Sequence, residues 1–197
     1  MKLDLTNFKS IVCFGDSITY GFGAYTEAQS WPSLLAARVT VPVINAGVNG
    51  ETAMDGLWRI EEDVLAYDPA VVIINFGMND FYSYARDWRV RKVDYGYRQM
   101  LARLRAPGRQ IYVARFYGEA MKKTYDPSGE FDEMYAGLQK DFPEINMISD
   151  IWNGVFANAD AMYDEVHPNE NGYEIIFWNI FREIRPLLEE NGFLKTI

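Results

Sequence analysis

One stretch constrains the fold of this chain more than any other: Ala70-Val71-Val72-Ile73-Ile74-Asn75-Phe76. Its centre is β-branched at every position, and no apolar–polar alternation interrupts it. A strand buried on both faces reads this way, and such strands belong to parallel sheets covered by helices. Shorter apolar runs at 11–14 (closed by Gly15), 41–46, 110–116 and 145–149 read as further strands. Amphipathic segments fall between them: 30–39, with Ser30 as cap and Pro32 in the first turn; 52–67, with Leu57, Ile60, Val64 and Leu65 on one face; 93–104; and 131–141. A last long helix starts after Pro168, and Pro186 is expected to kink or divide it. Strand and helix thus alternate five times, the pattern of an α/β protein with a parallel sheet and helices on both faces. With 49% apolar residues, the 197-residue chain (1–197) reads as a single domain with ample material for one core.

Charge and composition narrow the partners. Lysine and arginine number 19 against 28 acidic residues, a net charge of −9 that argues against a nucleic-acid backbone as ligand. The single cysteine, Cys13, has no internal partner for a disulfide, and with a single histidine it makes a Cys/His metal site implausible. Residues 1–10 contain no apolar core of a secretory leader, and no run approaches the ~20 apolar residues needed to span a bilayer. A cytoplasmic protein without stable membrane insertion is the expectation. Cys13 itself sits mid-strand and reads as apolar filler.

Ligands of a parallel sheet bind beyond the carboxyl ends of its strands. Three polar, glycine-containing corners follow the first three strands: Gly15-Asp16-Ser17, Ala46-Gly47-Val48-Asn49-Gly50 and Gly77-Met78-Asn79-Asp80. A tight turn after the first strand exposes the hydroxyl of Ser17, which becomes a nucleophile only when a base takes its proton. The chain's one imidazole is His167, held in a turn by Pro168, with Asp164 three residues back to fix its tautomer. Each residue also has a bland reading: Ser17 and Asp164 as caps, Asn79 and Asp80 as turn formers, Gly47 as a positive-φ corner. Asp16 and Asp80 read as anchors of neighbouring loops through backbone N–H groups, since a carboxylate facing an oxyanion would oppose catalysis.

The corners carry a resemblance. Phe14-Gly15-Asp16-Ser17-Ile18-Thr19 resembles the first block of the GDSL esterases of the SGNH hydrolase superfamily, with isoleucine in place of the name-giving leucine. Asn45-Ala46-Gly47-Val48-Asn49-Gly50-Glu51-Thr52 resembles the second block, Gly77-Met78-Asn79-Asp80 the third, and Asp164-Glu165-Val166-His167-Pro168 the fifth, all in the family's order. The resemblance implies a three-layer α/β/α, flavodoxin-like fold with a five-stranded parallel sheet. It also implies two-step ester hydrolysis through an acyl-enzyme, with Ser17 as nucleophile, His167 as base and Asp164 as its orienter. The N–H groups of Ser17 and Gly47 and the amide of Asn79 would form the oxyanion hole. The partner so implied is a small-molecule ester or thioester, and no metal or organic cofactor is needed.

Two alternatives stand beside it: a carbohydrate O-acetylesterase of the same fold, and a non-catalytic flavodoxin-like binding module. For the latter, Gly21-Phe22-Gly23 follows the first strand, but the dinucleotide pattern needs a third glycine where Thr26 stands. The G-x-S-x-G elbow of α/β-hydrolases likewise needs glycine where Thr19 stands. Aromatic and apolar residues after the later strands (Phe81, Tyr82, Tyr84 and Trp88; Tyr117 and Met121; Trp152 and Phe156) are expected to wall a pocket for a short-to-medium acyl group. Arg86, Arg89, Arg91 and Lys92 form a local basic cluster.

Overall fold

The structure, a computed structural model, describes residues 10–156 and 158–196. Residues 1–9, read above for a leader, lie outside the described residues. Five parallel strands form one sheet: β1 (Ile11–Gly15), β2 (Val43–Gly47), β3 (Val71–Asn75), β4 (Gln110–Ala114) and β5 (Asn146–Ile148), in the order β2-β1-β3-β4-β5. Eight α-helices accompany them among the described residues: α1 (Ser17–Tyr20), α2 (Trp31–Arg38), α3 (Ala53–Asp63), α4 (Met78–Ser83), α5 (Arg86–Leu104), α6 (Lys122–Tyr125), α7 (Glu130–Asp141) and α8 (Glu170–Glu190).

The layering follows from chain direction. Crossovers between parallel strands are right-handed, so a step one way along the sheet puts its helix on one face and a step back puts it on the other. The chain moves from β1 out to β2, then returns past β1 to β3, β4 and β5. Accordingly α3 packs on α5 and α5 on α7, whereas α2 packs on α8. Both faces of the central strands are therefore covered, and β1 and β3 are buried along their whole lengths. Phe14 and Phe76 meet edge to face at 5.1 Å.

Register places the site. Ile11 pairs with Val43 on one side and Val71 on the other, so Gly15 ends beside Gly47 and Asn75. Three strand ends come flush, and their loops leave together. The helices that follow β1 and β3 depart to opposite faces, which makes the crevice between these adjacent strands the switch point of the sheet.

Several boundaries differ from the sequence expectation. Strand β2 starts at Val43, not 41, because Pro42 has no N–H to donate; its carbonyl instead accepts from Ile11. The helix expected over 52–67 ends at Asp63, where Val64 leaves helical geometry and a 3-10 turn, Leu65–Tyr67, follows. Pro69 disfavours helix at Asp68, which turns left-handed at φ 45°. Helix α8 runs unbroken through Pro186. Pro186 and Arg182 face solvent, so the carbonyl freed by the missing N–H meets water, while Ile180, Ile184 and Leu188 stay buried on the inner side.

Candidate active site

The first corner begins where β1 stops. Asp16 caps α1, its Oδ1 accepting from the Ile18 N–H at 3.0 Å, while its carbonyl takes the N–H groups of Thr19 and Tyr20. The Ser17 N–H is left donating to no described acceptor, as an orphan of the helix N-terminus. Ser17 is 6% exposed, and its hydroxyl lies 3.1 Å from Nε2 of His167.

His167 reaches Ser17 from a reverse turn in which the N–H groups of Tyr163 and Asp164 both bond the His167 carbonyl, and Met162 bridges to Pro168. Within it, Asp164 Oδ1 accepts from the N–H groups of Val166 (2.8 Å) and His167 (2.7 Å), and Oδ2 lies 2.8 Å from Nδ1 of His167. Partial burial opposes ionisation of Asp164, but the backbone N–H and imidazole of His167 and the N–H of Val166 outweigh it and hold its carboxyl below the usual range. An ionised carboxylate can only accept, so Nδ1 carries the proton and Nε2 faces Ser17 with its lone pair. The turn and the Ser17–His167–Asp164 relay are thus assembled from segments about 150 residues apart.

The second and third corners supply hydrogen-bond donors. Asn79, in the first turn of α4, donates one amide N–H to the Glu51 carbonyl at 2.9 Å, which orients the group and leaves its second N–H available. Gly47 does not fit the role expected of it. Strand β2 runs through Gly47, and the Gly47 N–H is committed to Asn45 Oδ1 at 3.0 Å. What requires glycine there is space, since a Cβ would stand 2.1 Å from the Tyr20 nitrogen. Three residues on, Gly50 turns the corner at φ +80° and its N–H donates to no described acceptor. Asn79 holds the carbonyl of the next residue, Glu51, so the uncommitted Gly50 N–H belongs to the peptide segment that the amide anchors.

Beneath these donors sit groups that hold the loops. Asp80 Oδ2 accepts from the Ala53 N–H at 2.9 Å and so ties the third corner to the start of α3; Asp16 does the same work within the first corner. Both carboxyls are fully buried, and each keeps one oxygen without a partner. Burial pushes Asp16 up to about 7, aided by the charge of Asp80, and Asp80 itself up to about 6. Cys13 is buried in mid-β1, where loss of solvent pushes its thiol up and keeps it neutral.

Two anchoring residues carried no local sequence signal. Arg59, on α3, reaches the Ala46 carbonyl (2.9 Å), the Gly15 carbonyl (3.0 Å) and the Glu51 carboxylate (2.5 Å), and stacks over Phe14. One guanidinium therefore clamps the ends of β1 and β2 and the loop that orients Asn79. Tyr97, on α5, accepts from the Phe76 N–H at 2.9 Å and donates to the Phe76 carbonyl at 3.1 Å, closing the end of β3. Each acts across at least 8 residues of sequence, beyond any helical or strand period.

The expected aromatic walls are mostly structure. Tyr117, Met121 and Trp152 are core residues, and the single O–H of Tyr117 has the carboxylates of Asp126 (3.0 Å) and Asp132 (2.8 Å) as acceptors within reach. Phe81 and Phe156 are half-buried, and Tyr82 and Trp88 stand exposed. Of the basic cluster, Arg89 stacks on Phe81 at 4.2 Å, while Arg91 and Lys92 lie over Trp88 and Tyr84. An aromatic residue not anticipated, Phe22, packs its ring on the His167 imidazole at 4.6 Å.

Among the described residues, no group of three or more His, Cys, Asp or Glu side chains is placed to hold a metal ion, and no helix is long and apolar enough to cross a membrane. Sheet order, layering and a serine–imidazole–carboxylate relay at the switch point define the class of fold, that of the SGNH hydrolases. Within it the chain belongs to the GDSL-like lipase/acylhydrolase family, whose model matches residues 13–175. It is 24% identical over 191 residues to "Thioesterase 1/protease 1/lysophospholipase L1" of Escherichia coli, covering 93% of this chain and 86% of that one. It is 25% identical over 189 residues to "Esterase TesA" of Pseudomonas aeruginosa, covering 91% and 90%. The psychrotrophic esterase EstA of Pseudoalteromonas sp., solved inhibited by monoethylphosphonate, superposes with a TM-score of 0.77 at 22% identity, over 92% of this chain and 99% of that one.

Proposed function

We propose that this protein is a serine hydrolase of small-molecule carboxylic esters or thioesters, acting in the cytoplasm through an acyl-enzyme. The observation that carries the reading is the relay itself: Ser17 Oγ 3.1 Å from His167 Nε2, with Asp164 Oδ2 2.8 Å from Nδ1. As Ser17 attacks the substrate carbonyl, its proton passes to Nε2, and Asp164 stabilises the imidazolium that forms. The carbonyl oxygen gains negative charge and meets the Ser17 N–H, the second Asn79 N–H and the Gly50 N–H, none of which is committed elsewhere. Amide donors suit this task because they stabilise the developing charge without giving up their proton to it. The intermediate then collapses, the imidazolium protonates the departing oxygen or sulfur, and water repeats the sequence to release the acid.

The acyl group is proposed to be short to medium in length, because most of the apolar residues after β4 and β5 are packed into the core and few remain to line a long groove. For esters of one good leaving group, kcat/KM should rise with chain length by the burial of about 0.8 kcal/mol per CH₂, then fall once the pocket is full. A maximum between acetyl and octanoyl is expected; rates still rising at palmitoyl would overturn it. The nucleophile is tested by labelling with a fluorophosphonate and mapping the modified peptide. Ser17→Ala should fold, lose the label and lose most esterase activity, whereas a label on another serine would refute the assignment.

A further inference from the structure

The reaction fixes where the alcohol half of the substrate must lie. When the tetrahedral intermediate collapses, the bond from the carbonyl carbon to the leaving oxygen breaks, its electron pair goes to that oxygen, and the proton comes from Nε2 of His167. The leaving atom must therefore lie within reach of Nε2 of His167, and the side chains packed on that imidazole flank its path. That flank is built by Phe22, whose ring lies against the imidazole at 4.6 Å, and by Tyr163, which meets Phe22 edge to face at 6.0 Å and whose N–H bonds the His167 carbonyl. Both line an open cavity of about 530 Å³ that also contains Tyr20, Tyr25, Glu27 and Glu170; His167 does not itself line it but adjoins it through the Phe22 ring.

The chemistry of this cavity is one-sided. Its aromatic side chains are exposed to solvent, Tyr25 at 87% and Tyr163 at 63%. Neither Glu27 nor Glu170 has an ion-pair partner among the described residues, and no lysine or arginine lines the space. The basic cluster lies elsewhere: Arg86 and Arg89 line a separate cavity with Tyr125, Asp126 and Glu130, which includes neither Phe22 nor Tyr163.

We propose that the Phe22–Tyr163 cavity is the leaving-group subsite and that it selects esters whose alcohol carries a ring face and no anionic group. Ring faces stack on Phe22 and Tyr163, while Glu27 and Glu170 repel phosphate, sulfonate or carboxylate on the departing half. The subsite rests on the serine-hydrolase reading above and narrows it: thioesters of phosphorylated carriers become poor substrates, and esters of aryl or other uncharged or cationic ring alcohols become good ones.

The test uses butyrate esters of three phenols bearing a trimethylammonium, an acetamido or a sulfonate substituent, with each kcat/KM divided by the rate of the same ester with imidazole in solution. At low salt the cationic and neutral esters should exceed the anionic one by roughly tenfold, as two nearby carboxylates would impose, and the gap should narrow as salt screens them. Glu27→Gln with Glu170→Gln should bring the ratio close to one. Tyr163→Ala should raise KM for the aryl esters relative to methyl butyrate. Equal turnover of the anionic and neutral esters, a discrimination that survives the double substitution, or an unchanged aryl-to-methyl KM ratio in Tyr163→Ala would overturn the subsite. Those results leave phosphonate labelling of Ser17 intact; absence of both labelling and hydrolysis would instead refute the hydrolase reading, and the subsite with it.

Discussion

His167 and Asp164 divide the chemistry unequally, and their substitutions should show it. His167→Ala removes the chain's single imidazole, so kcat should fall by several orders of magnitude with no substitute base. Asp164→Asn keeps the base but loses the charge that fixes its tautomer and stabilises imidazolium, so its loss should be the smaller of the two. Comparison of kcat for the two variants checks the order. Asn79→Ala should lower kcat by roughly 10²–10³ with little change in KM, because the donor tightens only as charge develops on oxygen. A raised KM with unchanged kcat would make Asn79 a ground-state binding residue. Gly47 illustrates the limit of reading residues singly. Its place in the motif was visible, but the acceptor already holding its N–H, Asn45 Oδ1, depends on how β2 ends.

Elements were legible where an apolar stripe ran through them. In α5 the stripe of Val93, Tyr97, Met100, Leu101 and Leu104 is buried and was readable, whereas the helix begins at Arg86. Residues 86–92 are mostly charged, and Val90 is the one aliphatic residue among them that packs against the core, which is too little for a period to show. The short α4 and α6 offer too few residues for a period to show. Tyr97 shows what an element contributes beyond its stripe. Its hydroxyl satisfies both backbone groups of Phe76 at the buried end of β3. Tyr97→Phe should leave both unpaired and destabilise the protein by about 1–3 kcal/mol, measured as a shift in the denaturant midpoint at unchanged slope. A stability equal to wild type would mean that another group closes this strand end.

At the scale of the whole molecule, the flush strand ends bury two carboxyls under the site. Asp16 titrates at about 7 in the native state against an ordinary 3.8, so folding takes up a proton between those values. The native state is then favoured at low pH by this group, and stability should decline as pH rises from about 4 to 7, by at most ~1.4 kcal/mol per pH unit for one proton. Asp80, raised to about 6, adds in the same direction. Asp16→Asn retains the acceptor for the Ile18 N–H without the charge, so its stability relative to wild type should improve by about 2 kcal/mol between pH 5 and 8. Equal relative stability at the two pH values, by denaturant unfolding, would refute the linkage. The sequence by itself determined the five strands, the parallel sheet and the corner residues, because buried strands, capped helices and turn chemistry are local patterns written in neighbouring side chains. Only the tertiary structure decided that Gly50 rather than Gly47 keeps a free N–H, that Arg59 clamps two strand ends, and that Phe22 lies against His167. Each of these depends on strand register and on loops meeting across the switch point, and no period along the chain encodes such contacts.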